Sequence, residues 1–200
     1  MVNYSFDMDD LGEVFATIFS SSALVTVFIV IFAIVALFAL AVYIFSCIGL
    51  YRMAKKLECD KAWMAWIPFA NTWLMFNLPR NEYRVLALNK VIENRTNAFW
   101  IHLAIQYGTN TVIGILSAIP IIGYLVAAIS PLVGIAVTVA YIFMIFPVYK
   151  DLYKMFLPDN TAQTYAIVSI VCHFLVPIVP AILMFVASGK DPVEVVDASY

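Results

Sequence analysis

Residues 23–50 read ALVTVFIVIFAIVALFALAVYIFSCIGL, with no charged side chain. About 20 apolar residues in a helix cross the hydrocarbon of a bilayer, where every backbone N–H and C=O must find its partner inside the protein. The run is longer than that, so the chain is expected to fold around a membrane. Composition supports this: of 200 residues 64% are apolar and 12% charged, at a mean hydropathy of +0.95, more apolar surface than a soluble domain of this length can bury. Residues 1–22 carry Asp7, Asp9, Asp10 and Glu13 but no Lys or Arg, unlike the positive start of a cleavable signal peptide, and are expected to form an acidic external tail. Cys47, Cys59 and Cys172 are odd in number and far apart, which gives no disulfide framework.

Three further uncharged stretches follow. Residues 98–119 hold His102, Gln106, Thr109, Asn110 and Thr111, and can cross only if that polar side faces protein or water. Residues 121–149 place Gly123, Ala127, Ser130, Gly134 and Thr138 at near four-residue intervals, a pattern that favours close helix packing, with kinks expected at Pro131 and Pro147. Residues 164–187 form the last expected span, preceded by Asn160 and Gln163 as a capping box. The expected fold is one all-α integral membrane domain over 1–200, with four transmembrane helices at 23–50, 98–119, 121–149 and 164–187.

Topology rests on the basic residues. Arg52, Lys55, Lys56, Lys61, Arg80, Arg84, Lys90 and Arg95 fall within 51–97, and Lys150 and Lys154 in the next inter-helix loop. Cytoplasmic loops collect such charges. Both basic loops are therefore expected inside, and both tails, 1–22 and 188–200, outside. This requires that residues 61–78, KAWMAWIPFANTWLMFNL, enter from the cytoplasmic side and return or lie along that interface. Their chemistry agrees, because Pro68 removes the donor for the Met64 carbonyl and Trp63, Trp66 and Trp73 suit the headgroup region. Flanking amphipathic surface helices are expected from Leu50, Met53, Ala54 and Leu57 on one side and Val85, Leu88 and Ile92 on the other.

Four stretches carry a resemblance in order and motif: AKKLECDKAWMAWIPFANTWLMF, IPIIGYL, YKDLYKMF and VPIVPAILMFVASGKDP. Over roughly residues 54–192 they resemble a family of small bacterial multispanning membrane proteins marked by a Trp, Ile-Pro and Asn motif, here Trp66, Ile67, Pro68 and Asn71, and sometimes labelled signal-peptidase-like. Glu58 and Cys59 stand where that family commonly has a glycine, and the segment 80–97 is longer. The resemblance implies a bacterial inner-membrane, multi-pass protein. It brings no particular reaction, and no serine lies beside a lysine in the pattern a serine–lysine peptidase needs.

The expected spans contain no Asp, Glu, Lys or Arg, which argues against an ion-coupled transporter. His102, Gln106, Thr109 and Asn110 share one side of the second helix, and Ser169, Cys172 and His173 form a polar cluster on the last, where Pro177 frees the His173 carbonyl and Pro180 that of Val176. These polar groups either bond a neighbouring helix or line a small polar path. Arg52, Lys55, Lys56 and Lys61 are candidate contacts for lipid headgroups. No catalytic residue, metal site, cofactor or nucleic-acid partner is expected. The leading expectation is a non-enzymatic accessory or scaffold subunit that packs with itself or with another membrane protein. The alternative is a small channel or facilitator lined by His102, Gln106, Asn110 and His173.

Overall fold

A computed structural model describes Glu13, residues 22–86 and residues 90–193 of the chain. They are predominantly helical, and two helical stretches, Leu24–Lys56 and Pro120–Lys154, are long and apolar enough to cross a membrane. By internal contacts the chain divides into Met1–Ala41 and Val42–Tyr200. The described part of the first unit is the beginning of helix α1 (Ser22–Lys56), whose side chains 25–40 are all exposed. Most of the expected acidic tail 1–22, and residues 194–200, lie outside the described residues.

In the second unit, α1 continues past the expected boundary at residue 50 as one helix. Leu50, Met53 and Ala54 are buried while Arg52, Lys55 and Lys56 are exposed, the amphipathic face expected from the sequence. The helix ends in a Schellman turn: the Cys59 N–H donates to the Ala54 carbonyl (2.9 Å) and the Glu58 N–H to that of Lys55 (3.1 Å), with Glu58 at φ 54°. That backbone position usually takes glycine.

Residues 61–78 do break at Pro68. A 3₁₀ turn (Ala62–Trp66) stops at Ile67, which is extended at φ −100°, ψ 124° as a residue before proline should be, and Phe69 at φ 65° leads into α2 (Ala70–Asn77). The Met64 carbonyl, expected to lose its partner, instead accepts from the Ile67 N–H at 3.1 Å, because the tighter 3₁₀ turn supplies a donor one residue earlier.

One expected surface helix is replaced. Tyr83–Val85 (β1) pairs antiparallel with Lys90–Ile92 (β2), in the register Tyr83↔Ile92, Arg84↔Val91, Val85↔Lys90. Val85 and Ile92 suit a strand as readily as a helix face, and Leu88 lies outside the described residues. Tyr83 fixes the strand in place: it is fully buried and its hydroxyl donates to the Met144 carbonyl at 2.6 Å.

The expected span 98–119 is a helical run of α3 (Arg95–Leu103), a π-helical segment (Ala104–Gly108) and α4 (Thr109–Ser117). Asn94 starts it by accepting from the Thr96 N–H at 2.9 Å. Helix α5 (Pro120–Lys154) contains Pro131 and Pro147 and remains helical through both. The turn before it needs a glycine, because a Cβ on Gly123 would lie 2.6 Å from the Ser117 carbonyl oxygen.

The last expected span is two helices. Helix α6 (Asp159–Leu175) starts without a side-chain cap, so Asn160 and Gln163 form no capping box; the Asn160 carbonyl accepts from Thr164 Oγ1 instead. Val176, forced out of the helical region by Pro177, sits at φ −143°, ψ 81° and precedes α7 (Ile178–Ser188). The Val176 carbonyl, expected to be freed by Pro180, accepts from the Val179 N–H at 3.0 Å. Helix α7 then doubles back. A Cβ on Gly49 would lie 3.0 Å from the Phe185 backbone nitrogen, so α7 rests directly on α1. The Val193 N–H donates to the Met155 carbonyl (2.8 Å), and Lys56 Nζ donates to the Lys190 carbonyl (2.7 Å) and Asp191 Oδ1 (3.2 Å). The described start of the 188–200 tail therefore returns to the basic end of the molecule instead of emerging opposite it, because the paired prolines reverse the chain where a simple kink was expected. Leu50, Leu74, Phe76, Tyr83, Val148, Leu152, Tyr153 and Ala166 form the core at this basic end.

Candidate functional site

Helices α3, α5 and α6 bring both histidines to one row of rings. The His102 ring lies 5.4 Å from that of Tyr141, which lies 5.4 Å from that of His173, and the Tyr141 hydroxyl is 3.2 Å from His173 Nε2. Phe76 extends the row on the far side of His102, at 5.3 Å. Beside it a cavity of about 240 Å³ is lined by Gln106, Asn110, Gly134, Thr138, Tyr141 and His173 among others. Three of the four expected lining residues thus meet, and His102, buried, touches them through Tyr141.

Gln106 is the unusual member. It lies in the π-helical segment, and its Oε1 is buried without a hydrogen-bond partner among the described residues. Unpaired buried acceptors are rare, and π-segments recur at functional sites. The other polar side chains nearby bond their own helix: Asn110 Nδ2 to the Gln106 carbonyl (2.6 Å), Thr111 to that of Tyr107 (2.8 Å), Thr138 to that of Gly134 (2.8 Å). This removes their need for a neighbouring helix.

The remaining expected residues are dispersed. Ser169 is buried against Tyr153, oxygen to oxygen 2.9 Å; Thr109 lines a separate apolar cavity with Val112 and Val126; Cys172 is half-buried with a free thiol. In the interfacial motif Trp63, Trp66 and Pro68 are exposed, while Asn71 and Trp73 are half-buried. The Trp66 carbonyl accepts from the Tyr43 hydroxyl at 2.8 Å, and Asn71 Oδ1 from Thr72 at 3.1 Å. The four expected headgroup contacts are engaged within the chain: Arg52 over the Phe185 ring (4.8 Å), Lys55 over Tyr51 (5.9 Å), Lys61 over Trp73 (5.4 Å), and Lys56 on Asp191.

A buried ion pair escaped the sequence reading. Arg95, counted there as a loop charge, is 7% exposed and pairs through Nη2 with Asp151 Oδ2. Its Nε donates to the Asn81 carbonyl (2.7 Å), Nη1 to the Phe76 carbonyl (2.9 Å) and Nη2 also to Asn81 Oδ1 (3.0 Å). One guanidinium so ties α2, the loop after it, α3 and α5 together. Burial raises the pKa of Tyr83, with the Arg95 guanidinium, whose carbon lies 5.7 Å from the Tyr83 ring, opposing the shift. A signal was present: Asp151 is the only acid between Glu93 and Asp159.

No family model, curated protein or solved structure matches this chain. Among the described residues no three of His, Cys, Asp and Glu gather as metal ligands would, and the ring row offers hydrogen bonding and packing.

Proposed function

We propose that the chain is a multi-pass protein of a bacterial inner membrane that acts as an accessory or scaffold subunit, packing its helices against a second copy or another membrane protein. The observation that carries this is the outer part of α5. Residues 120–140 are largely apolar and mostly exposed, and the small Ala128 and Ala136 stand exposed on either side of Leu132, one helical turn apart from it. Close helix packing in lipid uses small residues of this kind. The motif resemblance points to the same compartment. In place of four crossings, the return of α7 to Lys56 and Met155 favours three, by α1, the α3–α4 run and α5, with α6–α7 as a re-entrant hairpin. The amino-terminal tail then lies outside and the basic end inside. Cysteines placed at Arg84, Lys154 and Lys190 should be protected from an impermeant external reagent, and one at Asp9 labelled; external labelling at residue 190 alone would restore a fourth crossing. Native mass spectrometry in mild detergent tests the scaffold role: Ala128→Leu with Ala136→Leu should dissociate an assembly that the unmodified chain forms, and a monomer without partner in both removes the reading.

The unpaired Gln106 acceptor beside the cavity favours a second reading, a small channel or facilitator. Gln106→Leu with Asn110→Leu should then abolish solute flux in reconstituted vesicles while leaving assembly intact.

A further inference from the structure

The basic end is cut by a cavity of about 690 Å³ between the β-hairpin and the last turns of α5. Its apolar wall includes Val85, Phe146 and Pro147, and its cations are Arg84, Lys150 and Lys154. A second cavity of about 850 Å³ shares Asn81, Asp151 and Lys154 with it and adds Lys56 and Arg80. The acids facing the first are Glu82 and Asp151. Asp151 is already paired with Arg95, and Lys154 with Asp159 at 2.7 Å, whereas among the described residues neither Arg84 nor Lys150 has an ion-pair partner. Two uncommitted cations above an apolar wall suit an amphiphile whose head is anionic. The position suits it too: α5 is about 52 Å long at 1.5 Å per residue, against about 30 Å of hydrocarbon, so its basic end stands near headgroup depth.

We propose that this cavity binds the phosphate-bearing headgroup of an anionic phospholipid, the phosphate between Arg84 and Lys150 with Lys154 at the edge, and the glycerol end against Val85, Phe146 and Pro147. The inference rests on the membrane reading above. It places lipid recognition at Arg84 and Lys150, which line a cavity with an apolar wall, in place of Arg52, Lys55 and Lys61, which lie over aromatic rings of the chain, and Lys56, which pairs with Asp191. Free inorganic phosphate shares the charge chemistry but has nothing to place on the apolar wall.

The test is native mass spectrometry of the full chain in mild detergent, titrated separately with phosphatidylglycerol, phosphatidylcholine and inorganic phosphate. Phosphatidylglycerol should be retained over phosphatidylcholine. Arg84→Gln with Lys150→Gln should weaken it about 30-fold, while Arg52→Gln with Lys55→Gln should leave it within about twofold. Should the double variant unfold, Lys150→Gln alone, expected at about fivefold, carries the decision. Equal retention of phosphatidylcholine, or binding unchanged in these variants, overturns the proposal. Inorganic phosphate binding as tightly as the lipid, with the same dependence on Arg84 and Lys150, also overturns it and leaves a free-phosphate site. Alkaline extraction of cell membranes reports the membrane location separately, so its failure is distinguishable from failure of the site.

Discussion

The two parts of α5 share one helix and one composition class, yet their surroundings differ. In residues 120–140 Val126 is the one buried side chain, and Ile121, Tyr124, Leu132 and Ile135 stand open. In residues 141–154 Met144, Ile145, Val148, Tyr149, Leu152 and Tyr153 are buried by the hairpin, α6 and the segments around α2. Hydrophobicity alone does not separate them. The packed part is marked by large aromatic residues, by hydroxyls that find partners and by one acid. The open part is marked by small residues and by polar groups bonded back to their own backbone. A helix that needs lipid or a foreign partner thus differs from one that carries its own core in what its polar atoms do.

The comparison is broken first at the ion pair. Arg95→Met leaves the half-buried Asp151 and the Phe76 and Asn81 carbonyls without their donor and should cost about 2–4 kcal/mol of stability in detergent denaturation, with part of it regained in Arg95→Met/Asp151→Leu. An exposed-loop cost below about 0.5 kcal/mol would show that the packed end does not depend on it. Next, Leu152→Ala should destabilise by about 2–5 kcal/mol, whereas Ile135→Ala, one helix but open surroundings, should stay within about 0.5 kcal/mol; equal losses would erase the distinction. Gly49→Val forces α7 off α1, for about 1–3 kcal/mol, read by the same unfolding curves and by new protease sensitivity near residue 185.

Smaller effects sharpen it. Burial holds the Tyr83 phenol above its ordinary value, the neighbouring Arg95 opposing. An unfolded tyrosine loses its proton near pH 10, so the stability this group contributes is full below about pH 10 and is lost as the pH climbs from there toward the raised folded value. Tyr83→Phe should cost about 1 kcal/mol at neutral pH through the lost bond to Met144, and should flatten the alkaline decline. Glu58→Gly should stabilise by up to about 1 kcal/mol by relieving the left-handed backbone, and a loss instead would mean that the carboxylate matters more than the turn.

Much of the apolar architecture was legible: α1 and α5, the amphipathic end of α1, the break at Pro68 and the meeting of Gln106, Asn110 and His173. What escaped depends on contacts distant in sequence. Val85 and Ile92 fit a helix face and a strand alike, and only the anchoring of Tyr83 on Met144 decides between them. Pro177 and Pro180 announce a break but not its angle, which is set where α7 meets Gly49. Arg95 looked like any loop cation because its acid lies on another helix.

The seat of α7 on Gly49 also orders events during synthesis. The groove on α1 around Cys47 and Gly49 is filled by residues made well over a hundred positions later, on the order of ten seconds at bacterial or eukaryotic ribosome speeds of about 5–20 residues per second. Until then the basic end of the first helix must wait half-dressed, and whatever shelters it meanwhile helps decide whether α7 finds its place.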